Sequence, residues 1–150
     1  MLFLDASAVA LREGEVLVSE SDRLDRGMQM RRAVLGDRHV DAAEARKTAF
    51  DEPFQRYITG AAWADIWAGQ DITPRERSMI TIALLAALGH DEELAMHVRA
   101  SRNTGASASD IREVLMHVAL YAGVPAANSA FKVARAALEQ QQPATGEDSA

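Results

Sequence analysis

The sequence predicts an all-α protein folded as a single-domain six-helix bundle. Three observations carry that expectation. Apolar residues recur three and four apart along nearly the whole chain, which is the spacing of one helix face. Alternating β-branched residues occur only at Val16-Leu17-Val18. Helix-start and helix-stop residues return at intervals of one helix length. With 150 residues, 48% hydrophobic and 25% charged, the chain has ordinary globular composition and the size of one domain.

Ser21 is a candidate cap for a first helix carrying Leu24, Met28, Arg31 and Leu35 on one side, with Gly36 placed to end it. Asp41 is a candidate cap for a second helix, which Pro53 interrupts. From Phe54 to Trp67 the residues Phe54, Tyr57, Ile58, Ala61, Trp63, Ile66 and Trp67 form a broad apolar face, closed by Gly69. Thr73-Pro74-Arg75-Glu76 joins a capping threonine, a proline at the first helical position and a glutamate at the third, a capping box. It opens a helix that is apolar all round, through Leu88 to a stop at Gly89. Such a helix belongs at the centre of a bundle or in a subunit interface.

The next helix begins at His90 or Asp91 and runs to about Asn103, before Gly105. Ser107-Ala108-Ser109-Asp110 repeats the capping signature ahead of Ile111 to Tyr121. Gly123-Val124-Pro125 then breaks and restarts the chain into a last helix with Ala127, Phe131, Ala134 and Leu138, ending near Glu139. The helical domain is thus expected over residues 21–139. Residues 140–150 offer almost nothing to bury and are expected to be a disordered tail. Residues 1–20 form an N-terminal extension: an exchanged arm, a strand-like flap or loose chain.

Composition also narrows function. A net charge of −6, with 16 basic residues scattered among 22 acidic ones, is a poor match to a nucleic-acid backbone. The absence of cysteine excludes disulfides, thiolate nucleophiles and thiolate metal sites. The opening segment lacks a basic start, and no apolar run approaches the ~18 residues of a membrane span. A cytoplasmic protein with no membrane partner is expected.

His90, Glu93 and His97 share one side of a helix at i, i+3, i+7. Three readings stand open from spacing alone. The trio is a solvated helix face, a divalent-metal site lacking the His-x-x-x-His of zinc helices, or a metal-free acid/base pair in which Glu93 orients His97. Arg75, Arg77 and Arg99 are surface charges or carboxylate clamps. Trp63 and Trp67, four apart, pack in a core or wall a pocket for a small ring. His39 and His117 read as structural, and Asn128 as a local turn residue or a ligand contact.

Several stretches in register carry a family resemblance: Met30-Arg31-Arg32-Ala33-Val34-Leu35-Gly36-Asp37, Ala62-Trp63-Ala64-Asp65-Ile66-Trp67, and Arg77-Ser78-Met79-Ile80-Thr81-Ile82-Ala83. Glu93-Leu94-Ala95-Met96-His97-Val98-Arg99-Ala100 and Tyr121-Ala122-Gly123-Val124-Pro125-Ala126-Ala127-Asn128 complete the set. Over about residues 22–138 the chain resembles the γ-carboxymuconolactone decarboxylases, within the alkylhydroperoxidase-like superfamily. Counting back from His97, the two cysteines of the peroxidase branch fall on His90 and Glu93, and its glutamate on Ser78. Thiol-dependent peroxide chemistry therefore has no residues to run on.

The resemblance implies an enzyme of aromatic-acid breakdown in the β-ketoadipate pathway. It would remove carbon dioxide from a lactone dicarboxylate, 4-carboxymuconolactone, without cofactor or metal. It implies His97 as proton donor or oxyanion stabiliser with Glu93 as its orienting partner. Arg77 or Arg99 would hold a carboxylate, Ser78 would donate a hydrogen bond, and Trp63 would wall the ring. It implies a homo-oligomer, a hexamer built as a trimer of dimers. Two alternatives remain at this stage: a related decarboxylase or isomerase acting on another cyclic acid, and a non-enzymatic oligomeric binding protein of the same fold.

Overall fold

The computed structural model describes residues 19–141 and is helical throughout. The helices are α1 (Glu20–Leu35), α2 (Asp37–Arg46), α3 (Glu52–Ile58), α4 (Pro74–Leu88), α5 (Asp91–Thr104), α6 (Ala108–Tyr121) and α7 (Val124–Glu139). A π-helical segment, Thr59–Trp67, continues α3 without a break. The described residues thus hold seven α-helices rather than six. The expected N-terminal arm and the expected disordered tail lie outside the described residues, except for Ser19, Glu20 and positions 140–141.

Local chemistry accounts for most boundaries. α1 is capped by Ser19, two positions before the candidate Ser21. The Ser19 hydroxyl accepts from the Asp22 backbone N–H at 3.0 Å, and the Asp22 carboxylate answers the Ser19 N–H, so the box is Ser19 to Asp22. Gly36, at φ +85°, ends α1 and starts α2 at once, a backbone angle that side chains rarely tolerate. Asp41 therefore sits inside α2 rather than capping it, and it pairs with Arg32 at 2.8 Å. Pro53 opens α3 from its first turn instead of interrupting a longer helix. The capping boxes at Thr73 and Ser107 and the stops at Gly89 and Gly105 form as expected.

Two cores result. The larger lies among α4, α5, α6 and α7, around the fully buried Ile82, Leu94, Val98, Ile111 and Leu115. Ala127, Ala130, Ala134 and Ala137 form the buried stripe of α7, and their small side chains let it approach closely. The smaller core joins α1, the π-helical segment and α5 through Val34, Trp63, Trp67 and Ala100. There α1 lies so near the π-helical segment that a Cβ on Gly27 would fall inside contact distance of the Thr59 carbonyl oxygen. Arg23 clamps the same pair of elements with a bidentate bond to Asp65, at 2.9 and 2.6 Å.

α4 is less central than its composition suggests. Ser78, Ile82 and Ala86 face the core, while Ile80, Leu84 and Leu88 are exposed. Met116, Leu120 and Tyr121 of α6, which packs against α4, and Val124 of α7 are also exposed.

Candidate active site

His97 sits on the inner side of α5 with 7% of its surface open. Its ring stacks on Trp67 at a centroid distance of 5.9 Å and an interplanar angle of 16°, and Trp67 leans in turn on Trp63 at 5.4 Å. The π-helical segment delivers both tryptophans, since Thr59, Gly60, Trp63, Ala64 and Trp67 make up its buried side. A π-helical turn inside an α-helical run is a frequent mark of a functional site.

Burial is the main influence on the His97 imidazole and pushes its pKa down to about 4. The neighbouring His39 acts in the same direction, and the Glu93 carboxylate opposes them. His97 is therefore neutral at pH 7. Its Nδ1 is buried and has no hydrogen-bond partner among the described residues. A bare acceptor lone pair in such a place costs less than an orphaned N–H, which favours the tautomer with its hydrogen on Nε2.

The other residues singled out in the sequence divide into three groups. Glu93 is exposed and makes no hydrogen bond to His97, so it acts through its charge rather than by fixing the ring. His90 is the N-cap residue of α5. Among the described residues no group of three or more His, Asp or Glu side chains is placed to hold a metal ion. Trp63 is buried against Trp67, and Trp67 is the ring that meets His97.

Arg77 and Ser78 follow one another on α4. Arg77 lines a small cavity of about 80 Å³ with Ile66, Trp67 and Ile72, and Ser78 is wholly buried. The Arg77 Nε and the Ser78 Oγ, like the His97 Nδ1, are buried without a hydrogen-bond partner among the described residues. Buried polar atoms without a partner are uncommon in a finished core, and two of these three residues, His97 and Arg77, adjoin Trp67.

Arg99 faces elsewhere, into an open groove of about 550 Å³ between α2 and α5. This groove also presents Arg38, His39 and Arg46 from α2 and Arg102 from α5. Sequence reading set His39 aside as structural and did not single out the three other arginines. The signal was present in the spacing: His39, Ala42 and Arg46 recur at i, i+3, i+7 on α2, and Arg99 and Arg102 at i, i+3 on α5. The pKa of His39 is lowered, first by burial and then by Arg31, Arg46 and Arg99. His39 thus feels both the arginines of the groove and the buried His97.

An all-helical bundle with a neutral, desolvated imidazole, and with an arginine-bearing groove lined by its electrostatic neighbour His39, is equipped to bind an organic anion and to stabilise negative charge. The carboxymuconolactone decarboxylase family profile matches residues 52–136. The 4-carboxymuconolactone decarboxylase of Acinetobacter baylyi is 37% identical over 117 residues, which cover 78% of this chain and 87% of the relative. The nitrosuccinic acid decarboxylase of Metarhizium robertsii is 34% identical over 109 residues, covering 73% and 76%. A 4-carboxymuconolactone decarboxylase sequence from Pseudomonas putida is 48% identical over 48 residues, its full length and 32% of this chain. The chain belongs to the carboxymuconolactone decarboxylase family.

Proposed function

We propose that the protein is a carboxy-lyase that decarboxylates 4-carboxymuconolactone to β-ketoadipate enol-lactone, a step in the aerobic breakdown of protocatechuate. The observation that carries the reading is the buried, neutral His97 stacked on Trp67, in a chain with relatives of that activity; His39, which lines the arginine-rich groove, acts on it electrostatically.

The chemistry suits such a site. The bond from the ring carbon to the departing carboxylate breaks, and carbon dioxide leaves. Its electron pair moves through the ring double bond into the lactone carbonyl, giving a dienolate. A proton then adds at the ring carbon next to the carbonyl, which completes the enol-lactone. The site must stabilise the dienolate oxygen and keep the departing carboxylate poorly hydrated.

His97 serves the first need as a neutral hydrogen-bond donor through Nε2, and its depressed pKa keeps the ring in that one neutral form across the neutral pH range. Trp67 and Trp63 exclude water beside it. Glu93, on the exposed edge of α5, biases the His97 charge. Arg77 brings a guanidinium group to the small cavity beside Trp67, and the buried Ser78 hydroxyl follows it on α4. No cofactor is required, since the substrate carries its own electron sink.

A second reading has one specific support, the similarity to the nitrosuccinic acid decarboxylase. In it the same site acts on an open-chain acid whose nitro group is the sink. Assaying carbon dioxide release from both acids separates the two readings. Acceleration of the lactone alone, abolished in His97→Ala, supports the first; acceleration of neither acid removes both. The pH dependence tests the role of His97. A neutral donor gives kcat/KM that is flat from pH 6 to 8, whereas an imidazolium proton donor of ordinary pKa gives a fall across that range.

We further infer a cytoplasmic homo-oligomer, a hexamer of three dimers. The exposed apolar residues Ile80, Leu84 and Leu88 of α4 with Met116 and Leu120 of α6 form a surface suited to a second copy. Light scattering on the purified protein tests this, and a stable monomer at micromolar concentration overturns it.

A further inference from the structure

The groove between α2 and α5 combines three properties. It is large enough for a small organic acid, at about 550 Å³. It is cationic in a chain whose net charge is −6. Its arginines are also unspent. Arg23, Arg31, Arg32, Arg56, Arg75 and Arg112 each pair with a carboxylate. Arg38, Arg46, Arg99 and Arg102, all lining the groove, have no ion pair or hydrogen bond among the described residues. The acid in the lining, Asp37, is engaged by Arg32 at 3.0 Å.

The origin of the two walls differs. Arg99 and Arg102 belong to α5, inside the segment matched by the family profile, residues 52–136. Arg38, His39 and Arg46 belong to α2, which precedes that segment. α2 packs on α1 and is tied to it by Arg32 with Asp41 and by Arg31 with Glu44, at 2.8 and 3.3 Å. The second wall of the groove is therefore supplied by a helix that precedes the profile-matched segment.

The two decarboxylases similar to this chain act on acids with one chemical element in common. Nitrosuccinic acid is a succinate by name, and 4-carboxymuconolactone carries its departing carboxylate on a ring carbon that also bears an acetate group. Each therefore loses a carboxylate beside an electron sink and keeps a second carboxylate one methylene away.

We propose that Arg46 of α2 and Arg99 of α5 clamp the carboxylate that stays on the product, and that α2 thereby makes the enzyme selective for succinate-type dianions. The proposal rests on the decarboxylase reading and adds the residues that recognise the substrate. Two guanidinium groups converging on one carboxylate give charge-assisted bonds with directional preference. Arg38 and Arg102 flank the clamp and raise the local potential, and His39 lies on the side toward His97.

The test uses an inert dianion. Succinate binding is measured by calorimetry at low salt for the wild-type protein and for Arg46→Met, Arg99→Met and Arg46→Lys, with butyrate as the monoanion and Arg112→Ala as a surface control. The lactone assay on the same proteins separates KM from kcat. We expect succinate to bind at least tenfold more tightly than butyrate, and each methionine variant to weaken succinate and raise KM about tenfold with kcat within about threefold. Arg46→Lys should recover part of the affinity, and Arg112→Ala should match wild type.

Methionine variants with unchanged KM in an enzyme that turns the lactone over would overturn the clamp, and equal binding of succinate and butyrate would overturn the dianion selectivity, either one leaving the decarboxylase reading in place. Arginine-dependent succinate binding by a protein that decarboxylates neither acid would keep the clamp and remove the decarboxylase reading.

Discussion

Arginine does two different jobs in two regions of this molecule. At the junction of α4 and α6, Arg75 reaches the Asp110 carboxylate with Nε at 2.9 Å and a second, shorter contact from its terminal nitrogen. Asp110 also accepts from the Ser107 backbone at 2.9 Å, and Arg75 followed by that bond holds its carboxyl far below the usual carboxylate range. Every strong acceptor there has its donor. In the groove between α2 and α5, four arginines line the wall without an ion pair among the described residues, and the one lining acid, Asp37, is taken by Arg32. Exposed arginines without an acidic partner are available to an anion from outside. The difference teaches how to separate a structural ion pair from a binding site: completeness marks the first and incompleteness the second.

The largest expected effect falls on the incomplete side. His97→Ala should lower kcat by two orders of magnitude or more, on the order of the loss of one oxyanion donor, while circular dichroism shows the helices intact. A variant with near-normal turnover would remove His97 from the chemistry.

Next comes a dependence on pH. The folded-state pKa of His97 is lowered to about 4 from an ordinary 6.5, so above pH 6.5 both folded and unfolded states are neutral. Between pH 6.5 and 4 the unfolded chain takes up a proton that the folded chain resists, and stability is lost as pH falls. The loss is about 3 kcal/mol for a shift of this size. His39, also lowered, acts with the same sign. Urea midpoints from pH 7 to pH 4.5 should therefore decline more steeply in wild type than in His97→Gln. Parallel declines would show that the imidazole is not desolvated.

Gly27→Ala probes the support beneath the site. Its added methyl group meets the Thr59 carbonyl oxygen, part of the backbone rather than a side chain that swings away. A loss of roughly 2–4 kcal/mol is expected, in the range of overpacked cores, read as a lowered midpoint of thermal unfolding. An unchanged midpoint would mean that α1 and the π-helical segment separate easily.

The smallest effect belongs to the complete ion pair. Arg75→Ala should reduce stability slightly, since the pair is open to solvent and screened by salt. It should leave KM and kcat as they are. A kinetic change in Arg75→Ala as large as in Arg99→Met would dissolve the contrast between the two regions.

The fold was largely legible because its boundaries rest on local chemistry. Thr73-Pro74-Arg75-Glu76, Ser107 with Asp110, and the glycines at 36, 89 and 105 act within one turn of themselves, so the sequence alone exposes them. The departures occur where a choice between near-equal local signals was settled by packing. Ser19 and Ser21 both precede acidic residues, and Gly36 served two helices where one was expected. The π-helical geometry of Thr59–Trp67 has no sequence signature of its own, because it follows from burying two tryptophans against α1 and α5.

Of the candidate site, the sequence put His97 forward through the family resemblance, and the structure finds that residue buried and stacked on Trp67. The partnership with Trp67 and the groove arginines was not legible. They lie on separate elements, and an arginine's freedom from acidic neighbours is visible only once every carboxylate has been located in space. Glu93 shows the converse: helical spacing set it one turn from His97, yet its side chain stays at the surface.

The Gly36 junction has a consequence for how the protein can change. α2 hangs from α1 by one glycine turn and a few surface ion pairs, and Val40 is its one buried residue. Substitutions at Arg38, His39 or Arg46 disturb little of either core, so their effects on folding should be small and nearly additive with changes elsewhere. A lineage can therefore retune which acid it accepts by altering ten residues at the rim, while the desolvated imidazole and its tryptophans remain as they were.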